Sequence, residues 1–280
     1  MALSKLNAKI KGIKYLPFEQ DGETYNLYDM PKGFVIKGNL DLWNKGLTEL
    51  PDLSEVVVKG DFNCSHNKLT SLEGAPQRVG GDFDCNHNQL TSLEGAPKEV
   101  GGGFYCYSNR LTSLEGAPKE IGGEFSCSSN QLTSLEGAPQ RVGGDFYCYS
   151  NQLTSLEGAP KEVGGDFDCN HNQLTSLVGL PLMKESMKIY CDDSLENKYG
   201  FSDTCNDGVS YEQLCASPIY KSETAMNRVR NKLPQENIET KPASSEQQKT
   251  VDPKQQEAFE KTNAEFSQWL KDNSAKPTRE

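Results

Sequence analysis

The sequence predicts a repeat solenoid, a stack of short coils with a parallel β-sheet along one side and little helix. Three observations predict it. Written in rows of 21 from Asp61, the chain reads DFNCSHNKLTSLEGAPQRVGG, DFDCNHNQLTSLEGAPKEVGG, GFYCYSNRLTSLEGAPKEIGG, EFSCSSNQLTSLEGAPQRVGG, DFYCYSNQLTSLEGAPKEVGG and the shortened DFDCNHNQLTSLVGLP. Every row opens on F-x-C, an apolar alternation of period two that suits a half-buried strand. With 25 Gly among 280 residues and 35% hydrophobic content, the chain is too lean for a single large core.

Each position in the row has a physical role. Phe and Cys, as in Phe83 and Cys85, point inward from one strand face, and the residue between them, Asp84, points outward. The Asn three residues after each Cys (Asn67, Asn88, Asn109, Asn130, Asn151, Asn172) has an amide that donates and accepts, so a column of them satisfies the backbone where each coil bends. L-T-S-L adds two core positions. The G-x-P step, such as Gly95 and Pro97, opposes a long helix on the far side and predicts extended or polyproline-like backbone there. The closing Gly-Gly allows a tight return or a close backbone approach. One coil has about five inward apolar side chains, too few to offset the ordering of its backbone, so stability has to come from stacking.

The row pattern F-x-C-x-x-N-x-L-x-x-L resembles the leucine-rich repeat, L-x-L-x-x-N-x-L, with Phe and Cys in the first two leucine positions. In style it is similar to the short-period bacterial repeats of IpaH-type effectors and of phage-encoded proteins. The resemblance implies a curved slab with the parallel sheet on its concave face and a role in protein recognition, as a bacterial effector or phage-encoded host-interaction factor. It does not extend to the effectors' catalytic ligase domain.

Degenerate turns flank the six rows. Leu40 and Leu42 stand 22 residues before Phe62 and Cys64, and Ile189 and Cys191 stand 22 after Phe167 and Cys169, giving about eight coils over 38–193. Residues 1–37, with an Asp21-Gly22 turn between short strands, are expected to cap one end. Residues 194–233, with Ser210 and Gln213 spaced as a capping box and a helix-compatible run from Ser222 to Leu233, are expected to cap the other. The polar stretch 234–251 reads as a disordered linker, and 252–280 as an amphipathic helix and tail with Phe259, Phe266 and Trp269 on one stripe.

Composition also excludes function classes. A net charge of −11 disfavours a phosphate-backbone binder, so no nucleic-acid partner is expected. No apolar run reaches the length of a membrane span, and no signal-peptide core is evident at the start. Of nine cysteines, Cys64, Cys85, Cys106, Cys127, Cys148, Cys169 and Cys191 occupy the inward strand column; with no C-x-x-C, the pattern fits a cytoplasmic, reducing setting without zinc or disulfides. His66 and His87 fall on adjacent coils near Asp82 and Asp84, but lack the further oriented ligands a metal requires, and no metal or cofactor is assigned. The non-repeat Cys205 and Cys215 are the remaining candidates for catalysis; Asp207 follows Cys205 closely, and a neighbouring acid opposes thiolate formation, so no enzyme activity is expected.

The outward strand positions are where the rows differ. Tyr105 and Tyr107 stand two coils from Tyr147 and Tyr149, with only Ser126 and Ser128 between, which predicts a slot with aromatic walls. Asp84 and Asp168 flank it in an acidic surround. The expectation is a non-catalytic interaction module binding a protein with an apolar or basic contact surface, the alternative being a structural component that self-associates.

Overall fold

The computed structural model describes residues 14–181, 183–184, 186–201 and 208–224. The predicted linker and terminal helix, and Cys205, lie outside the described residues.

The chain is a two-sheet solenoid. Along one side, eight parallel strands follow in chain order: Leu40–Asp41, Phe62–Asn63, Phe83–Asp84, Phe104–Tyr105, Phe125–Ser126, Phe146–Tyr147, Phe167–Asp168 and Lys188–Tyr190. A ninth, Val209–Ser210, closes that sheet antiparallel to Lys188–Tyr190. Along the other side runs a seven-stranded parallel sheet from Val35–Ile36 through Val57–Val58, Arg78–Val79, Glu99–Val100, Glu120–Ile121 and Arg141–Val142 to Glu162–Val163. The back of each coil was expected to be extended; its residues just before Gly-Gly are in fact hydrogen-bonded into this second sheet. The count of coils needs a matching correction, because the seven strands of the second sheet mark seven complete turns. The eighth front strand leads into a helix, Asp193–Tyr199, and among the described residues no return strand follows it.

Register follows the repeat. Phe62 pairs with Phe83, Phe83 with Phe104, Phe104 with Phe125, and so on to Phe167, while the 22-residue offsets fall at the ends, Leu40 against Phe62 and Phe167 against Ile189. The six phenylalanines are fully buried and stack in one column with ring centroids 5.0 to 5.7 Å apart. Beside them the thiols of Cys64 to Cys169 and the two leucines of each L-x-x-L are buried as well. The core is therefore a stack of identical layers.

Two glycine positions set how tightly the coils approach. A Cβ on Gly101 would lie 2.4 Å from the Gly80 carbonyl oxygen of the preceding coil, so the first Gly of the pair leaves room for a neighbouring backbone. Gly95 combines φ +86° with a Cβ position 2.7 Å from Leu72 backbone, which excludes any side chain.

The bend after each front strand places a non-glycine residue in the left-handed region: His66, His87, Ser108, Ser129, Ser150 and His171, with φ of 50° to 55°. The next residue, the column Asn, holds that bend. The Asn109 Nδ2 group donates to the Cys106 carbonyl at 3.1 Å and to the Cys85 carbonyl of the preceding coil at 3.1 Å, and its Oδ1 accepts from Leu90 N–H at 3.0 Å. Asn67, Asn88, Asn130, Asn151 and Asn172 repeat the pattern.

Both ends of the stack are covered. The hairpin Pro17–Gln20 and Glu23–Asn26 turns at Asp21-Gly22, and the Gln20 amide saturates the exposed edge of the second sheet, donating to Val35 O and accepting from Lys37 N–H. At the other end Asp192 takes the place of a further coil, its carboxylate accepting from His171 and Asn172 N–H. The Tyr199 hydroxyl accepts from Leu177 N–H at 3.0 Å and donates to Glu223 Oε2 at 2.7 Å, which ties the helix Asp193–Tyr199 to the last coil and to the helical residues 218–224. The capping box of Ser210 and Gln213 is formed at the start of the helix Tyr211–Ala216.

Replacing Asn109 by Ala strands the buried Leu90 N–H and leaves the Cys85 and Cys106 carbonyls with one amide donor each, from Asn88 and Asn130, and is expected to cost about 2 kcal/mol, read as a lower urea midpoint. Gln131→Ala, on an exposed side chain, is expected to stay within about 0.5 kcal/mol.

Candidate functional site

The outward residues of the front strands form one registered row in which Tyr105 is flanked by Asp84 and Ser126, and Tyr147 by Ser126 and Asp168. Tyr105, Tyr107, Tyr147 and Tyr149 wall a cavity of about 230 Å³, with Ser126 and Glu124 completing its lining. Tyr147 and Tyr149 meet edge to face, centroids 6.5 Å apart at 74°, so one wall is a corner of two rings.

Ser128 differs from its expected place in that lining. It is fully buried, and its hydroxyl has no hydrogen-bond partner. The strand's in-out alternation ends at Cys127, and the left-handed turn at Ser129 tucks the short side chain under the surface. Ser65 and Asn86 are buried at the same position, whereas the longer side chains of Tyr107 and Tyr149 reach out past the bend.

The acidic surround does more than present charge. Asp61 Oδ1 accepts from Asp82 N–H at 3.0 Å, Asp82 Oδ1 from Gly103 N–H at 2.7 Å, Asp145 Oδ1 from Asp166 N–H at 2.7 Å and Asp166 Oδ1 from Lys188 N–H at 2.8 Å. The row-opening acids thus form a second ladder, carboxylate to backbone, between coils. Asp84 and Asp168 close local turns on Asn86 and Asn170 N–H, each at 3.0 Å. Burial pushes both of their carboxyl pKa values up, against the pull of those N–H groups and of the neighbouring histidines.

The acid ladder changes at the slot, in a way the row comparison did not anticipate. Row three opens on Gly103, and a Cβ there would lie 2.6 Å from the Tyr105 hydroxyl, so the missing side chain is the space the Tyr105 ring occupies. Row four opens on Glu124, one methylene longer than Asp, and its Oε2 accepts from the Tyr105 hydroxyl at 3.3 Å. The Tyr147 hydroxyl donates to Asp145 Oδ2 at 2.7 Å. Burial raises the pKa of both phenols, and the adjoining carboxylates add to the rise. Glu124 is itself raised, first by burial and then by Asp145.

A line of aromatic side chains runs from the slot towards the N-terminal end. His87 meets Tyr107 edge-on at 5.5 Å, His66 stacks on His87 at 4.3 Å, and the half-exposed Trp43 meets His66 edge-on at 5.9 Å. The two histidines belong to this aromatic line. Their shared row position, one before the column Asn, already placed them on one line. Among the described residues no group of three or more His, Cys, Asp or Glu side chains is arranged to hold a metal ion. No helix among them is long and apolar enough to cross a membrane.

Larger hollows exist elsewhere, one of about 650 Å³ near the N-terminal end bordered by Thr48, Glu49, Asp52, Ser54, Thr70 and Glu73. The one on the seven-stranded side, about 640 Å³, is bordered by Lys59, Arg78, Lys98, Glu99, Lys119 and Glu120. Its charges are partly paired across strands, Arg78 with Glu99 at 3.2 Å and Arg141 with Glu120 beside it. The Tyr slot is the hollow with aromatic walls, and its lining departs from the row pattern at Glu124 and at all four tyrosines.

No family model matches the chain, and neither a curated protein nor a solved structure matches it. Function is therefore argued from the site itself.

The raised phenols have a measurable consequence. A folded-state pKa above the ordinary value of about 10 means that the unfolded chain releases the proton first, so this contribution to stability is intact below about pH 10 and is lost as pH rises beyond it. Tyr105→Phe with Tyr147→Phe is expected to flatten the alkaline decline of the denaturation midpoint and to remove two late-titrating phenols from the ultraviolet titration.

Proposed function

We propose that this chain is a non-catalytic recognition module that binds a protein partner on its nine-stranded side, centred on the Tyr slot. One observation carries the proposal. In a stack of nearly interchangeable coils, rows three to five depart together: Gly103 clears space, Tyr105 fills it, Glu124 receives its hydroxyl, and Ser126 leaves the gap that Tyr147 and Tyr149 close. Duplication of rows alone would carry the acid ladder through this point unchanged.

Tyrosine suits a contact surface because it offers large area at low rotamer cost, with a polar tip. The aromatic line from Trp43 to Tyr107 extends the surface across several coils, giving an elongated footprint. The row pattern and the asparagine column support kinship with leucine-rich repeats of the short-period bacterial type. A non-catalytic role is supported by the column thiols: burial pushes the pKa values of Cys64, Cys85, Cys106, Cys127, Cys148 and Cys169 up, which holds them protonated and unreactive. The eight free cysteines among the described residues support a reducing, cytoplasmic setting.

The test is a quantitative pull-down comparing the wild-type chain with a variant carrying Tyr105→Ala, Tyr107→Ala, Tyr147→Ala and Tyr149→Ala, both shown to be folded by circular dichroism. A protein enriched by the wild type and by a Lys98→Ala/Lys119→Ala control, but lost by the Tyr variant, is the expected result. Recovery of the same set by all three chains overturns the slot as the binding centre. A mass that rises with concentration and falls in the Tyr variant would favour self-assembly through this surface.

A further inference from the structure

The Tyr slot has a chemical preference written into its hydrogen bonds. Both phenolic protons that reach the acid column are already donated, Tyr105 to Glu124 and Tyr147 to Asp145. What the two hydroxyls still offer a ligand is lone pairs. Glu124 is likewise acceptor-only when ionised, and the hydroxyls of Ser126, Tyr107 and Tyr149 add further acceptor lone pairs, their protons not being given to the acid column. A neutral aromatic or aliphatic anchor would cover these acceptors without pairing them, at a cost.

Charge points the same way. Glu124 and Asp145 lie on adjacent coils, and among the described residues no ion pair includes either of them. Nothing cationic lines the cavity. Four tyrosine rings line it, Tyr147 and Tyr149 set edge to face, and Asp84 and Asp168 extend the negative field to either side. A cation entering the slot meets aromatic faces and carboxylates and expels no like charge.

Resting on the partner-binding role of this surface, we propose that the slot is a receptor for an arginine side chain of the protein partner, its guanidinium held against the Tyr walls with Glu124 as counter-charge. Guanidinium fits better than ammonium for three reasons. It is planar and stacks on aromatic faces, it is less strongly hydrated and so enters a half-open apolar-walled site more readily, and its five donors match a lining rich in acceptors.

The test uses the full chain and small probes, following the tyrosine ring resonances by NMR. N-acetyl-arginine methylamide is expected to shift the rings of Tyr105, Tyr107, Tyr147 and Tyr149 saturably in the millimolar range, with the neutral isostere N-acetyl-citrulline methylamide inert up to about 50 mM. N-acetyl-lysine methylamide is expected to bind at least about threefold more weakly, and Glu124→Gln to weaken the arginine probe about tenfold. Tyr149→Leu, which keeps apolar bulk but removes a ring face, serves as a second variant and is expected to abolish the arginine shifts. Citrulline or lysine binding as tightly as arginine overturns the proposal, as does an arginine response unchanged in both variants. If the arginine probe fails while the four-Tyr variant still loses its partner in the pull-down, the arginine assignment falls and the binding face stands. If the partner is retained as well, both fall.

Discussion

The asparagine amide at each bend is the interaction on which the rest of the molecule depends. A coil of this length cannot reverse direction without leaving backbone groups unpaired, and here it does so through a left-handed residue that most side chains disfavour. One amide meets these demands together, joining the carbonyl of its own coil to a carbonyl and an N–H of the preceding one. Because the amide reaches exactly one coil back, it also locks the spacing of layers. The phenylalanine column, the thiol column and both sheets then follow in register. The core layers contribute the burial; the amides decide where each layer sits.

Much of this was legible in the sequence, for a physical reason. F-x-C carries the period of a strand, and a row that recurs without insertion forces equivalent residues into columns, so burial of Phe104 and Cys106 implies burial of their counterparts. The second sheet was hidden because its strands are two residues long, as at Glu99–Val100, and lie between turn signals on both sides. No local alternation marks them; they are strands only because a neighbouring coil lies alongside. Ser128 was misplaced for a related reason. Strand alternation was carried one residue too far, across a bend whose handedness only the backbone reveals.

The acidic positions carry a different lesson. Asp61, Asp82, Asp145 and Asp166 add negative charge along the front strands, and each also lends one carboxylate oxygen to the backbone of the next coil. Their role in holding the stack recurs in rows one, two, five and six, so the informative residues are those that break the pattern. Gly103 and Glu124 were visible as exceptions in rows three and four, but their meaning required a third fact, the fold of the Tyr105 ring back over Gly103. An exception in a repeat is thus a sharper pointer to function than a conspicuous residue type.

Near-identity of the layers also bears on how the chain finds its structure. A slip by one whole coil would leave phenylalanines stacked, amides bonded and glycines against backbone, so within rows one to six the mispaired and native arrangements are almost degenerate in energy. What separates them lies at the ends. The flanking offsets of 22, the Gln20 amide on the edge strand and the Asp192 and Tyr199 contacts on the last coil occur once each in the described stack and have no equivalent one layer away. The terminal segments therefore do more than shield an exposed core. They act as the reference marks from which the layers are counted, and a chain deprived of them would retain its interactions while losing the means of choosing among alignments.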